Sequence, residues 1–118
     1  MVRSVLLAVI LLITSLGFAQ ERVERKFNKE TNLVEATYFY ENGMISQEGT
    51  FNTKGKLHGE WTSYDEAGNK TALGTYENGV RTGTWYFWAD NILKEVEFNN
   101  NQIASVTEAR SSSGIVKQ

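Results

Sequence analysis

His58 is the only histidine of the chain, and a carboxylate, Glu60, follows it two residues later in the stretch Lys-Leu-His-Gly-Glu-Trp. Residues two apart share a face of a β-strand, so the pair has the spacing of a general base and its orienting carboxylate. A base also needs a nucleophile or substrate within hydrogen-bonding reach. A sequence repeat places Thr82 and Thr84 at the equivalent positions. We therefore expect His58 to be a surface residue at the edge of a turn, and we predict no catalytic residue.

Other kinds of reactive site leave no recognisable pattern in the sequence. The chain has no cysteine, which excludes thiolate ligands, disulfides and a lipid-attachment cysteine. With one histidine, metal ligands would have to be carboxylates, and no acidic loop of the calcium-binding type occurs. A glycine-rich phosphate loop is also absent. The 12 basic and 14 acidic residues are interspersed rather than clustered. We therefore predict no cofactor, no metal and no nucleic-acid partner.

A repeat of 24 residues organises the middle of the chain. The segment Tyr40–Trp61 is followed by a second copy, Tyr64–Trp85, with the same landmarks in the same order. These landmarks are a leading tyrosine, a turn containing glycine, a Gly-Thr-aromatic triplet and a Gly-x-Trp triplet. A third copy begins at Trp88 and has Val96 in place of the first landmark glycine. A regular repeat of this length indicates stacked supersecondary units.

Each copy contains two segments that alternate in polarity and are rich in threonine, valine and aromatic residues, as is typical of strands. Turn sequences such as Glu-Asn-Gly at 41–43 separate them, and short connections favour antiparallel neighbours. The chain has no proline to interrupt pairing. The sequence therefore predicts an all-β protein: a single extended antiparallel meander of about seven strands. These strands are expected at residues 34–40, 44–51, 58–64, 70–77, 83–88, 92–98 and 102–108.

The repeat also predicts two different faces. A small residue and an aromatic residue two apart share a face, and a ring on the neighbouring strand can cover the space left by a glycine. We assign this structural role to Gly49, Phe51, Gly59, Trp61, Gly74, Tyr76, Gly83 and Trp85. The opposite face is mostly glutamate and threonine, and Tyr86 and Trp88 interrupt it. Exposed aromatic residues often mark recognition sites, so Tyr86, Trp88 and Tyr64 are the candidate partner-binding residues.

The two ends of the chain differ from the repeat. Residues 1–19 are typical of a cleavable signal peptide: Arg3 precedes an apolar run, and small residues at Gly17 and Ala19 fit cleavage after Ala19. Residues 20–33 are a polar and charged lead-in, for which a leading strand and a flexible segment both remain open. The repeat sheet spans 34–108, and a polar tail at 109–118 is expected to be disordered. The protein is therefore expected to be periplasmic or secreted.

The recurring glycine, aromatic and turn positions from Tyr38 to Ile103 resemble the MORN repeat, in its bacterial variant. The resemblance implies stacked β-hairpins that serve protein–protein contact and, in some eukaryotic members, membrane or phospholipid association. Bacterial variants are often described as antitoxins of toxin–antitoxin systems. Short exported chains of this kind are sometimes described as nicotinate-mononucleotide adenylyltransferases.

That adenylyltransferase activity belongs to a parallel α/β fold with a His-x-Gly-His type of phosphate site. Such a fold needs crossover helices, for which the sequence gives no signal, and the second histidine of the motif is missing. We therefore predict a non-enzymatic exported binding module for an unknown protein partner. A membrane or glycan surface remains an alternative partner. The alternative functions are an antitoxin-like neutraliser and, with its motif absent, the adenylyltransferase.

Overall fold

The computed structural model describes residues 22–110, and these form one open antiparallel sheet in which every strand pairs with the next strand along the chain. The predicted all-β meander is confirmed, and the described residues contain no helix. The strands are β1 (Arg22–Asn28), β2 (Leu33–Phe39), β3 (Ile45–Phe51), β4 (Gly59–Tyr64), β5 (Lys70–Glu77), β6 (Val80–Ala89), β7 (Ile92–Asn99) and β8 (Gln102–Arg110).

The strand that adds to the expected number is β1, so the lead-in forms a leading strand from Arg22. Its charged residues obscure a short apolar alternation. Val23 and Phe27 lie opposite Tyr38 and Val34 of β2, so the apolar face of the sheet extends to this edge. At the other end, β8 continues to Arg110, so the first two residues of the predicted tail are in a strand. The predicted signal peptide, residues 1–19, and residues 111–118 of the predicted tail lie outside the described residues.

One face of the sheet, the tryptophan face, carries Trp61 and Trp85, and each of these two indoles lies flat across a glycine of the preceding strand. A Cβ atom added to Gly49 would fall inside the indole ring of Trp61, and one added to Gly74 would fall inside that of Trp85. The two indoles are 6% and 5% exposed. Each Nε1 also donates a hydrogen bond to the backbone oxygen of the residue after that glycine, at 2.9 and 3.1 Å. The glycine, the ring and the carbonyl therefore form one packing unit.

The other two repeat glycines, Gly59 and Gly83, do something different, and the prediction that neighbouring rings cover them is wrong. They have positive φ angles of 108° and 73°. No atom lies within 4 Å of a Cβ placed on Gly83, and the nearest atom to one on Gly59 belongs to Thr50. The pairing register changes at both places, as expected of bulges built on glycine. These glycines bend the strand just before each tryptophan.

The apolar core is a single layer in which side chains shield one another. The buried hydrophobic residues all lie on the tryptophan face: Ala36, Trp61, Trp85, Val96 and Phe98. Rings cross the strands in edge-to-face contacts, with Tyr76 packed against Trp85 at a centroid distance of 5.0 Å and against Trp61 at 6.5 Å. Because a lone sheet has no second layer, this mutual shielding of rings supplies the burial that a second layer would give.

Hydrogen bonds also join turns that are one full repeat apart. At one end of the strands, the Tyr40 hydroxyl donates to the backbone oxygen of Tyr64 at 2.6 Å. Beside it, the Asn42 side chain donates to the backbone oxygen of Glu66 at 3.1 Å. At the other end of the strands, the Asn52 side chain donates to Asn78 Oδ1 at 2.8 Å. The 24-residue period is thus visible in the structure as bonds between equivalent turns.

Candidate functional site

The face opposite the tryptophans alternates carboxylates with hydroxyl groups. Across the strands, Glu48 lies between Thr37 and Thr62, and Glu97 lies between Thr84 and Ser105. Thr84 Oγ1 donates a hydrogen bond to Glu97. Pairing each glutamate with hydroxyl-bearing neighbours avoids the like-charge contacts that would weaken the sheet. A shallow concavity of about 470 Å³ lies on this face, lined mainly by Glu35, Glu48, Glu60, Tyr64 and Lys70.

Tyr64, one of the three candidate partner-binding residues, is engaged inside this face. Its hydroxyl donates to Glu48 Oε2 at 2.7 Å. That hydrogen bond, together with partial burial and the negative charge of Glu48, raises the pKa of Tyr64 to about 12. Its backbone oxygen is the acceptor for Tyr40. Tyr64 therefore joins β4 to β3 and to the β2–β3 turn, and its hydroxyl group is already used.

Tyr86 and Trp88, the other two candidates, form a stacked pair. Their ring centroids are 6.1 Å apart with an interplanar angle of 21°, and both side chains are half-buried. Trp88 Nε1 is buried without a hydrogen-bond partner among the described residues. No ring contact joins this pair to Tyr64 in the part of the chain from 22 to 110, although Lys70 borders the concavities beside both. The three candidates therefore do not form one site.

His58 has a structural partner. Its Nδ1 accepts a hydrogen bond from the backbone N–H of Asn78 at 3.1 Å, and the neighbouring Leu57 oxygen accepts one from Gly79 N at 2.7 Å. The histidine thus ties the β3–β4 connection to the β5–β6 turn. This ring nitrogen accepts its hydrogen bond from a backbone N–H group, so the histidine has a structural role. The expected position at the edge of a turn is correct, and Glu60 is not its partner.

The two edge strands of the sheet differ sharply, and this difference was not used in the sequence prediction. In β1, charged side chains follow one another: Arg22, Glu24, Arg25 and Lys26. The Arg22 guanidinium also lies 3.9 Å from the centroid of the Phe39 ring. Charged residues on an edge strand discourage pairing with another chain. The β1 edge is therefore protected by its own sequence.

The β8 edge lacks that protection. Every residue of β8 is exposed, and its charged residues, Glu108 and Arg110, are confined to the C-terminal end. Ile103 and Val106 are 62% and 55% exposed on the tryptophan face. A long edge strand with exposed apolar residues is a template for strand addition. The signal in the sequence was the low charge of 102–107 compared with 22–27.

Between residues 22 and 110 no helix has the length and apolar character needed to cross a membrane. The same range contains no group of three or more histidine, cysteine or acidic side chains arranged to hold a metal ion.

Comparison with known families matches residues 34–53 and 57–78 to the family described as MORN repeat variant. These segments include strands β2, β3, β4 and β5. The match therefore covers the Gly49–Trp61 unit in full and the Gly74–Trp85 unit only in part, because Trp85 lies beyond it. The match supports the MORN resemblance and is consistent with a non-catalytic repeat module. A comparison with curated proteins gave no significant match.

Proposed function

We propose that this protein is an exported, non-enzymatic binding module that holds a protein partner by adding an extended segment of that partner to the β8 edge. The observation that carries the proposal is the outer side of β8, which is long, exposed and free of charge from Gln102 to Thr107. Export rests on the signal-peptide pattern of residues 1–19.

The rest of the molecule supports a scaffold role. The groups that first suggested chemistry are used internally: His58 joins two turns, and the Tyr64 hydroxyl is bound to Glu48. The backbone N–H and C=O groups on the outer side of an edge strand, in contrast, have no partner within their own sheet. Strand addition satisfies those groups and uses neighbouring side chains for specificity. A sheet with one charged edge and one open edge suits that mode of binding.

The proposal is tested with two matched edge variants. Val106→Lys places a charge on the open edge, and Phe27→Lys places the same charge on the same face at the protected edge, where Phe27 is 49% exposed. Both proteins should fold, since both positions are exposed. Affinity capture from the periplasmic or secreted fraction should lose the specific partner with Val106→Lys and retain it with Phe27→Lys.

Amide hydrogen exchange of the captured complex supplies the decisive measurement. Binding should slow exchange within β8 and leave β1 unchanged, because only the β8 edge gains backbone hydrogen bonds. A partner that is captured equally by both variants, with no added protection in β8, would contradict strand addition at this edge.

A further inference from the structure

We infer that the segment received by β8 is an antiparallel strand with an apolar residue opposite Val106, a basic residue opposite Glu108 and an acidic residue opposite Arg110. This inference deepens the proposed function and rests on it. The partner is thereby described as an extended protein segment with the pattern acidic-x-basic-x-apolar, read from its N-terminus.

Only part of β8 can pair regularly with an added strand. Ser105 pairs with Glu97, but Ile103 pairs with Phe98, so Ala104 is an extra residue without an opposite partner. A bulge of this kind bends the strand and interrupts the regular spacing of its backbone groups. The regular outer ladder therefore runs from Ser105 to Arg110, a length that presents three side chains on each face.

On the tryptophan face, Val106 is the last residue of an apolar row that crosses the strands. Trp85 lies opposite Val96, and Val96 lies opposite Val106. Val96 is 6% exposed because strands lie on both sides of it, whereas Val106 is 55% exposed because β8 is the last strand in the described part of the chain. An apolar side chain on an added strand would cover Val106 in the same way. The position opposite Val106 therefore calls for an apolar residue.

The C-terminal end of β8 carries its two charged residues, Glu108 and Arg110. Glu108 lies opposite Lys94 on its inner side, and Arg110 lies opposite the uncharged Ile92. On the outer side, no residue between 22 and 110 faces either charge. Opposite charges that face each other across strands stabilise pairing, and like charges weaken it. The other edge shows the same device, since Lys26 of β1 lies opposite Glu35 of β2. An added strand should therefore carry a base and an acid in the order that faces Glu108 and Arg110.

The same register argues against a second copy of this chain as the occupant. Two β8 strands paired antiparallel over their full length would place Val106 opposite Val106. Glu108 would then face Ala104 of the bulge, and Arg110 would face Gln102, so neither charge would gain an opposite partner. The antiparallel direction follows from the rest of the sheet, where every pairing is antiparallel, and from the slightly greater stability of that arrangement.

The test uses two synthetic peptides of identical composition and the full chain. The first alternates threonine with glutamate, lysine and valine, in that order. The second exchanges the glutamate and the lysine, which reverses both charge pairs and keeps the net charge. Binding is measured by titration at low salt, and its location is measured by amide hydrogen exchange. The reciprocal protein variant combines Glu108→Lys and Arg110→Glu with Lys94→Glu, which keeps opposite charges facing each other between β7 and β8. All three positions are exposed.

We expect the wild-type chain to bind the first peptide about three- to tenfold more tightly, because two exposed cross-strand charge pairs differ between the peptides. The reciprocal variant should prefer the second peptide by a similar factor, and raising the salt concentration should reduce both preferences. Protection from exchange should be confined to 105–110.

Each other outcome overturns a defined part of the reasoning. Equal binding of both peptides with protection of β8 overturns the charge pattern and leaves strand addition standing. Absence of binding by either peptide, with β8 unprotected by the captured natural partner as well, overturns the proposed function itself. A chain that is dimeric with β8 already protected makes a second copy the occupant. Binding that requires removal of residues 111–118 makes that segment the occupant. Either of these results refutes the inference.

Discussion

The tryptophan-glycine unit makes a quantitative prediction at Gly74. In Gly74→Ala, the new Cβ atom would lie inside the Trp85 ring, much closer than the 3.0 Å that real Cβ atoms keep. The ring must move by about 1.5–2 Å to restore an ordinary carbon–carbon separation of about 3.5–4.0 Å. That movement of the ring weakens its contacts with Tyr76 and Phe98 and its hydrogen bond to the backbone oxygen of Thr75.

The expected cost follows from three contributions. Forcing an extra methyl group into a well-packed site costs about 1–3 kcal/mol. Weakening the indole hydrogen bond costs about 1 kcal/mol. Replacing glycine also restricts the unfolded chain, which offsets about 0.4–1 kcal/mol. We therefore expect the free energy of unfolding to fall by about 2–3 kcal/mol, a large fraction of the stability of a domain of this size.

Chemical denaturation of Gly74→Ala, followed by tryptophan fluorescence and near-ultraviolet circular dichroism, measures this loss. The control is the same substitution in a Trp85→Val background, where the ring that causes the clash is absent. There the alanine should be neutral or slightly stabilising. The native sheet already contains a comparable arrangement, because Val96 faces Val106 at the equivalent place in the third repeat. If Gly74→Ala costs the same in both backgrounds, the ring does not explain the need for glycine.

Three further predictions concern single polar groups. Trp85→Phe should destabilise the fold by about 1 kcal/mol because it loses the indole hydrogen bond. Trp88→Phe should cost little, because it removes a buried donor that has no partner among the described residues. Equal losses of stability in chemical denaturation of the two variants would contradict this. Tyr64 has a raised pKa, so its contribution to stability is complete below pH 10 and is lost as the pH rises towards 12. Unfolding measured against pH should show this loss in wild type and not in Tyr64→Phe, where Glu48 has no hydroxyl to accept from. Backbone N–H groups, that of Asn69 foremost, lower the pKa of Asp65, so its contribution is lost as the pH falls below about 3.8, and Asp65→Asn should flatten that acid limb.

The repeat pattern was sufficient to predict much of the fold. Glycine and aromatic residues two apart indicated a shared face, and the short turns indicated antiparallel neighbours. The spacing could not distinguish the two kinds of glycine, however. Gly74 needs to lack a side chain because a ring occupies its space, whereas Gly83 needs a positive φ angle. Both requirements select the same residue, so the sequence alone gives them the same appearance.

The candidate site was harder to predict because its signal is a contrast between distant segments. Tyr64 and Trp88 attracted attention as aromatic residues on a polar face, but the Tyr64 hydroxyl is used by Glu48. The open edge became visible only when β1 was established as a strand and its charges could be compared with those of β8. A strand known to be outermost can be judged by its charges, and a sequence does not state which strand is outermost.

The strictly sequential strand order has a consequence for how the chain folds. Each strand meets its neighbours through one short connection, so closing any single pair orders only a short loop of chain. All-β proteins usually fold slowly because their strands must find partners far along the sequence. Here the longest regular contacts span one repeat, as between Tyr40 and Tyr64. The sheet should therefore start from any hairpin and grow in both directions, at rates closer to those of helical domains than of sandwiches or closed barrels.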